Sequence, residues 1–223
     1  CIGIVLSTAH PCKFPEVMNK LPVSFSIPER ISKLTKNGKK YSIKNDYSIW
    51  RKMLIKSRNF QNISLIGMAG TGKSYMSKLI AKKIGWNILE LDSLIEKKYN
   101  KKLIEIIELY GNDKFKSIEE NITIEQKGIN NIFSTGGSII YSKNAMEYLK
   151  NETLIIYLNT SFETIIERLG DYTKRGIVIE KGDTIKCLYD RRHKLYNENC
   201  HLEIDCNKYD ENQICEIIVD YLS

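Results

Sequence analysis

The stretch Gly67-Met68-Ala69-Gly70-Thr71-Gly72-Lys73-Ser74 constrains this chain more than any other. It matches G-x-x-x-x-G-K-[ST], a glycine-rich loop whose backbone N–H groups wrap a phosphate. The lysine of such a loop reaches the β- and γ-phosphates, and the hydroxyl that follows is a ligand for Mg²⁺. The motif needs a strand before it and a helix after it, and both flanks have that pattern. Asn62–Ile66 is a short, mostly apolar run, as a buried strand is. Tyr75–Ile84 has helical spacing, with Leu79, Ile80 and Ile84 on one face, and Gly85 stops it. The candidate ATP-binding residues are therefore Gly67, Ala69, Gly70, Thr71, Gly72, Lys73 and Ser74, with Lys73 also a candidate catalytic residue and Ser74 a candidate metal ligand.

Beyond the loop, strand-like and helix-like segments alternate. Trp86–Leu91 is a second strand, and Asp92 and Ser93 are placed to cap a helix running to about Tyr99. Leu103–Gln126 is a longer helical stretch interrupted near Gly111. Asn131–Ser134 is a strand leading into Gly136-Gly137, and Thr153–Leu158 is the most apolar strand. Phe162–Leu169 and Thr184–Asn197 are helical, Leu202–Ile204 is a short strand, and Asn212–Leu222 is a terminal amphipathic helix. Such alternation predicts an α/β fold, a parallel sheet with helices on both faces. Ligands of such sheets bind at the carboxyl ends of the strands.

Charge divides the chain unequally. Residues 1–58 carry 12 Lys/Arg against 3 Asp/Glu, and residues 59–223 carry 22 against 24. The basic excess lies wholly in the first segment and reads as a solvated lysine-rich tail, so no nucleic-acid groove is expected around the phosphate loop. No apolar run approaches the ~20 residues of a membrane helix, so no membrane partner is expected. Six cysteines without a C-x-x-C pair imply unpaired thiols in a reducing, cytoplasmic setting; an organellar address stays open, because the chain begins at Cys1 without a methionine and is expected to be a piece of a longer protein.

The segment before the loop has its own signature. After the apolar run Ile2–Leu6 comes Ser7-Thr8-Ala9-His10-Pro11-Cys12-Lys13-Phe14-Pro15-Glu16, followed by Leu21-Pro22, Ile27-Pro28 and Ile49–Ile55. This resembles the C-terminal tail of threonine synthase, a pyridoxal-phosphate enzyme. The resemblance implies two domains: residues 1–58, a threonine-synthase-like tail and linker, and residues 59–223, the phosphate-loop domain. It also implies continuity with a threonine synthase body lying N-terminal to this chain. Without that body and its cofactor lysine, no threonine synthase activity is expected, and His10 is read as structural.

The second part resembles shikimate kinase over about residues 60–223. The motifs are the loop Gly67–Ser74, Asp92 after the second strand, Phe115-Lys116-Ser117-Ile118-Glu119, Ser134-Thr135-Gly136-Gly137-Ser138, Ile156-Tyr157-Leu158, Arg175, and Arg191-Arg192 before Leu195-Tyr196. The resemblance implies a nucleoside-monophosphate-kinase-like fold, a five-stranded parallel sheet with a mobile lid, together with an N-terminal appendage. It implies ATP and Mg²⁺ as cofactors and a small carboxylate-bearing alcohol as acceptor. Asp92 then orients the attacking hydroxyl, which suits phosphoryl transfer because that chemistry is mostly positioning and charge neutralisation. Arg175 matches the lid arginine that closes over the phosphates and excludes water. Arg192 matches the arginine gripping the substrate carboxylate, a task for a planar fork, while Arg191 beside it reads as surface. Gly136, Gly137 and Ser138 line the acceptor pocket, and Glu90 and Ser134 stand near the metal with Ser74.

Three positions depart from the family pattern. Lys116 stands where a second carboxylate-clamping arginine is usual, keeping the charge but losing the fork. Ser138 replaces a third glycine, and Gly176 replaces a proline. The nucleotide half of the site is intact and the acceptor half altered. Shikimate is the expected acceptor, giving shikimate 3-phosphate for aromatic amino-acid biosynthesis. Homoserine is the alternative, because its kinase would feed a fused threonine synthase. A non-catalytic nucleotide-binding module of threonine synthase is a second alternative, against which Lys73, Ser74, Asp92, Arg175 and Arg192 stand together.

Overall fold

The computed structural model describes residues 60–170, 176–179 and 182–222. The threonine-synthase-like segment 1–58 and the lid residue Arg175 lie outside these described residues.

Among the described residues strands and helices alternate at first, apart from two consecutive helices before β3: β1 Asn62–Ile66, α1 Lys73–Ile84, β2 Asn87–Glu90, α2 Leu91–Tyr99, α3 Leu103–Glu125 and β3 Asn131–Ser134. Then follow a short 3₁₀ turn Ile139–Tyr141, α4 Lys143–Glu152, β4 Leu154–Asn159, α5 Phe162–Leu169, α6 Ile185–Asn199, β5 Leu202–Asp205 and α7 Glu211–Leu222. The five strands form one sheet in the order β2-β3-β1-β4-β5, and every described pairing is parallel. β1 is thus central, with β3 on one side and β4 on the other. The chain crosses over at this point, which is where ligands of open α/β sheets sit.

The strands explain their own composition. Both faces of the central strands are covered, so β1 is buried at all five positions and β4 at five of six. β4, Leu154–Asn159, accordingly shows no alternation of polar and apolar residues. Of the two polar side chains of β1, Ser64 accepts from the Thr153 hydroxyl at 2.8 Å and Asn62 donates to the Gly128 carbonyl at 3.0 Å. Ile66, Phe133, Ile155 and Tyr157 from the strands meet Leu91, Ile95, Phe115 and Ile118 from α2 and α3 in a common core.

Several local expectations need correction. Asp92 does not cap α2: the helix begins at Leu91, its cap position is Glu90 without a side-chain cap bond, and Asp92 is in the first turn. That moves Asp92 from the helix's edge to its N-terminal face over the strand ends. α1 begins at Lys73, two residues earlier than expected; of the expected face only Ile80 is fully buried, beside Met76 and Ser77, while Leu79 and Ile84 are half-buried. The helix α4 is absent from the sequence reading, although Ser142 caps it through the Ala145 N–H at 3.0 Å and Ala145, Met146 and Leu149 form its buried face. The break within α3 falls at Gly111, as expected, with φ 77° and ψ 166°. No described helix is long and apolar enough to cross a membrane, and the four described cysteines are free thiols.

Candidate active site

β1 ends at Ile66 and α1 begins at Lys73, so the six residues between them bend back over the sheet's carboxyl edge. Gly70 and Gly72 take φ of 88° and 90°, a left-handed conformation open to glycine at little cost. The Thr71 hydroxyl donates to the Met68 carbonyl at 2.9 Å and braces the bend from within. Lys73 folds back over the loop, its Nζ donating to the carbonyls of Gly67 and Met68, both at 2.8 Å. Burial pushes the Lys73 ammonium down to about 8, with Asp92 opposing that shift and Arg192 adding to it. The start of α1 directs unsatisfied N–H groups and a positive dipole end to the same place, which suits a phosphate.

The predicted metal group assembles. The Ser74 hydroxyl donates to Glu90 Oε2 at 2.8 Å and lies 3.4 Å from the Ser134 hydroxyl. β2 pairs with β3 so that Glu90 and Ser134 are in register, which is why the ends of two strands meet the first residue after the loop lysine. One carboxylate and two hydroxyls, all hard oxygen donors, fit Mg²⁺, which is commonly held by one or two carboxylates with nucleotide phosphates and water completing its shell.

Two open volumes flank the loop on its nucleotide side. A cleft of about 370 Å³ is lined by Gly72, Lys73, Ser74, Ser134 and Arg168 among others. A second cavity, also about 370 Å³, shares Gly70, Gly72, Tyr75 and Arg168 with it and continues to Cys206, Tyr209 and Asp210. Arg168, in the last turn of α5, therefore borders both. Sequence reasoning missed it: a single arginine ending an amphipathic helix carries no motif, and only the β5–α7 connection brings a partner wall opposite.

The acceptor side is smaller. A cavity of about 50 Å³ is lined by Ala69, Asp92, Phe115, Glu119, Gly136–Ser138, Gly176–Val178 and Arg192. Ala69 and Asp92 line both this cavity and the phosphate cleft, so Asp92 stands at the junction. Burial raises the Asp92 carboxyl above its usual range, and the nearby Lys73 charge opposes that shift. Arg192 is 2% exposed. It donates to the Val178 carbonyl at 3.0 Å, lies 3.4 Å from the Tyr141 hydroxyl and 3.9 Å from Met68 Sδ, and sits over the Tyr141 ring at 5.3 Å. These partners are uncharged, so they orient the guanidinium without neutralising it. Gly137 is needed for that approach: a Cβ there would lie 2.8 Å from Arg192 Nη1. Tyr196 fixes the same loop by donating to the Gly137 carbonyl at 2.6 Å.

One predicted substrate contact, Lys116, comes out differently. Lys116 is not among the residues lining the acceptor cavity. Its Nζ lies 3.4 Å from Asp113 Oδ1 and 5.6 Å above the Tyr141 ring. The helical i,i+3 spacing offers it an aqueous carboxylate, and a compact, strongly hydrated ammonium takes that partner in preference to a dry pocket. Arg191 pairs on the surface with Asp183 at 2.7 Å, in line with its surface reading. Ser138 does line the cavity, and it holds a residue to which sequence reasoning gave no role. Glu119, 1% exposed, accepts a hydrogen bond from the Ser138 hydroxyl at 2.6 Å through Oε2. Its other oxygen, Oε1, has no hydrogen-bond partner among the described residues. The signal available was a glutamate one helical turn after Phe115, on the buried face of α3.

Comparison with known proteins follows the same outline. A family model described as shikimate kinase matches residues 69–223. The shikimate kinase of Macrococcus caseolyticus is 34% identical over 152 residues, 68% of this chain and 89% of that protein. That of Sulfurihydrogenibium is 30% identical over 162 residues, 71% of this chain and 96% of that protein. Among solved structures, shikimate kinase from Acinetobacter baumannii in complex with shikimate superposes with a TM-score of 0.65 at 24% identity, covering 76% of this chain and 95% of that one. The Aquifex aeolicus shikimate kinase gives 0.61 at 23% identity, covering 72% and 95%. These two likenesses establish the fold: five parallel strands flanked by helices.

Proposed function

This chain belongs to the shikimate kinase family, and from that premise we infer that it transfers the γ-phosphoryl group of ATP to the 3-hydroxyl of shikimate. The observation that carries this reading is the position of Asp92, on the wall shared by the phosphate cleft and the acceptor cavity. An acceptor hydroxyl hydrogen-bonded to Asp92 faces the end of a phosphate chain lying along the loop. The raised carboxyl pKa makes Asp92 a better proton acceptor than a solvated aspartate, and the Lys73 charge opposes the rise.

The other roles follow from charge and placement. Lys73 sits where negative charge spreads over the transferring phosphoryl group, and with a pKa of about 8 its ammonium is largely protonated at neutral pH. Ser74, Glu90 and Ser134 would hold Mg²⁺, which supplies neutralisation of the phosphate charge. Arg192 grips the substrate carboxylate, and Gly136 and Gly137 let the acceptor approach the backbone. Arg175, outside the described residues, is proposed as the lid arginine. Residues 1–58 are proposed as a separate threonine-synthase-like part of a longer chain, on the strength of the Thr8-Ala9-His10-Pro11-Cys12-Lys13-Phe14 core. Purification of the native protein with its full polypeptide mass checks that second point: a mass near that of this chain alone would contradict it.

An ADP-release assay with shikimate and homoserine side by side tests the reaction. Release that depends on shikimate is expected. Turnover of homoserine without turnover of shikimate would overturn the reading.

A further inference from the structure

The cavity that starts at Gly70, Gly72 and Tyr75 on the phosphate loop ends on Cys206, Tyr209, Asp210 and Glu211, in the connection between β5 and α7. β5 lies two strands from β1 in the sheet, a separation of about 10 Å. A nucleotide whose phosphates rest on the loop therefore carries its base toward this connection. The faces of the cavity do not choose between bases. Tyr75, 56% exposed, offers an aromatic ring, and Arg168 offers a guanidinium plane. Stacking on such planes tolerates every base, because every base has a π-face.

The far wall is different, because it is polar and held in one geometry. Asn207 ties it down from the middle: its Oδ1 accepts from the Ser161 N–H at 3.1 Å, and its Nδ2 donates to Asp205 Oδ1 at 2.9 Å. Asp210 and Gln213 exchange hydrogen bonds at the start of α7. The Gln213 N–H donates to Asp210 Oδ1 at 2.9 Å, and the Asp210 N–H donates to Gln213 Oε1 at 3.0 Å. Asp210 Oδ2 has no hydrogen-bond partner among the described residues. Burial pushes the Cys206 thiol up to about 11, so it stays neutral, and Asp210 and Glu211 are the charged groups of this wall. Of the two, Asp210 is the one whose position is fixed.

A carboxylate only accepts hydrogen bonds, and the two purines meet it differently. Guanine presents N1–H and N2–H₂ side by side, one donor for each carboxylate oxygen. Adenine presents N6–H₂ beside the N1 lone pair, so one oxygen gains a bond and the other faces a second acceptor. Resting on the kinase reading above, we propose that the phosphoryl-donor site admits guanosine triphosphate as well as ATP, and that Asp210 is the residue that selects guanine, by accepting its N1–H and N2–H₂. A rigid acceptor at the end of a tolerant stack is what base selection requires: the stack supplies affinity, and the fixed edge supplies the choice.

Calorimetric titration with MgADP and MgGDP, and kcat/KM for shikimate phosphorylation with MgATP and MgGTP, test this. In the unsubstituted chain GDP should bind, and GTP should turn over, within about tenfold of the adenine nucleotide or better; a larger deficit overturns the proposal. Asp210→Asn keeps an oxygen able to cap α7 but brings an amide donor to the guanine edge, whereas adenine pairs well with an amide. The ratio of GDP to ADP affinity should therefore fall about tenfold or more in Asp210→Asn, with the unfolding midpoint as control. A ratio that does not change overturns the role of Asp210, because loss of the cap alone would weaken both nucleotides alike. Two analogues make the same test on the unsubstituted chain, in case the variant does not fold. N1-methyl-GDP, which lacks the N1–H, should bind about tenfold more weakly than GDP, and 2′-deoxy-GDP should bind within about threefold of it. The reverse pattern places the carboxylate on the ribose, where acidic side chains also bind, and overturns the proposal. Binding is read without the acceptor, so the two readings fail separately. A chain that selects GDP in this way but leaves shikimate unphosphorylated contradicts the functional reading alone; one that phosphorylates shikimate from ATP but rejects GDP contradicts this inference alone.

Discussion

The two halves of the site are built by different means. The nucleotide half is mostly backbone and nearly continuous in sequence: eight residues, Gly67–Ser74, make the bend, the helix N-terminus and the lysine that lies along them. The acceptor half is mostly side chain and discontinuous. Asp92, Glu119, Ser138 and Arg192 come from α2, α3, the β3 loop and α6, and all four line the acceptor cavity, which shares Ala69 and Asp92 with the phosphate cleft. A backbone cradle serves any phosphate, because each residue has an N–H. A set of buried charges serves one molecule, because each charge must find its partner in a fixed place. Among the described residues Asp92 is the single acidic one that borders both halves, and the contrast predicts where substitutions are felt.

The largest effect is expected at the boundary of the nucleotide half. Lys73→Ala should cut kcat with shikimate by roughly a thousandfold or more, since it removes a preorganised charge from the transferring phosphoryl group. Steady-state ADP release measures it, and loss of less than about tenfold would remove Lys73 from the chemistry. Asp92→Asn comes next. It preserves shape and abolishes the proton acceptor, so kcat should fall by about 10²–10⁴ with ATP binding spared. Single-turnover measurements separate the two steps, and a variant that turns over like the parent would displace Asp92 from its role.

Within the acceptor half the effects should divide. Arg192→Lys keeps a charge but loses the fork that Val178 and Tyr141 orient. KM for shikimate should rise about ten- to thirtyfold while KM for ATP is preserved; equal rises in both would mean that the residue supports the fold rather than the carboxylate. Lys116→Ala is the smallest. A residue paired with Asp113 outside the cavity should change KM for shikimate by less than about threefold, since exposed pairs of this kind contribute little. A tenfold rise would return Lys116 to the carboxylate clamp that the motif alone suggests.

The same contrast governs how much of the molecule was legible in its sequence. β1, β3, α5 and the break at Gly111 were readable because each is set by local pattern: an apolar run, a helical repeat or one glycine. The phosphate loop was readable for the same reason. α4 was not, because its buried face is only Ala145, Met146 and Leu149 in a helix otherwise polar. The cap of α2 was misassigned because aspartate favours both the cap and the first turn, and the strand's exact end decides between them. Arg192 and Asp92 were placed through family resemblance, not through periodicity. The course of Lys116 depends on a competition between Asp113 and the cavity that no motif records. Glu119 stood in a helix face with the right spacing for core, and only the Ser138 contact shows that its second oxygen is unsatisfied.

The most direct measurement is phosphorus NMR of the product formed by the unsubstituted chain from ATP and shikimate. The account predicts one new phosphate monoester, coupled to the proton on C3 of the ring and formed in equal amount with ADP. Inorganic phosphate with shikimate unchanged, or an ester on another hydroxyl, would contradict it.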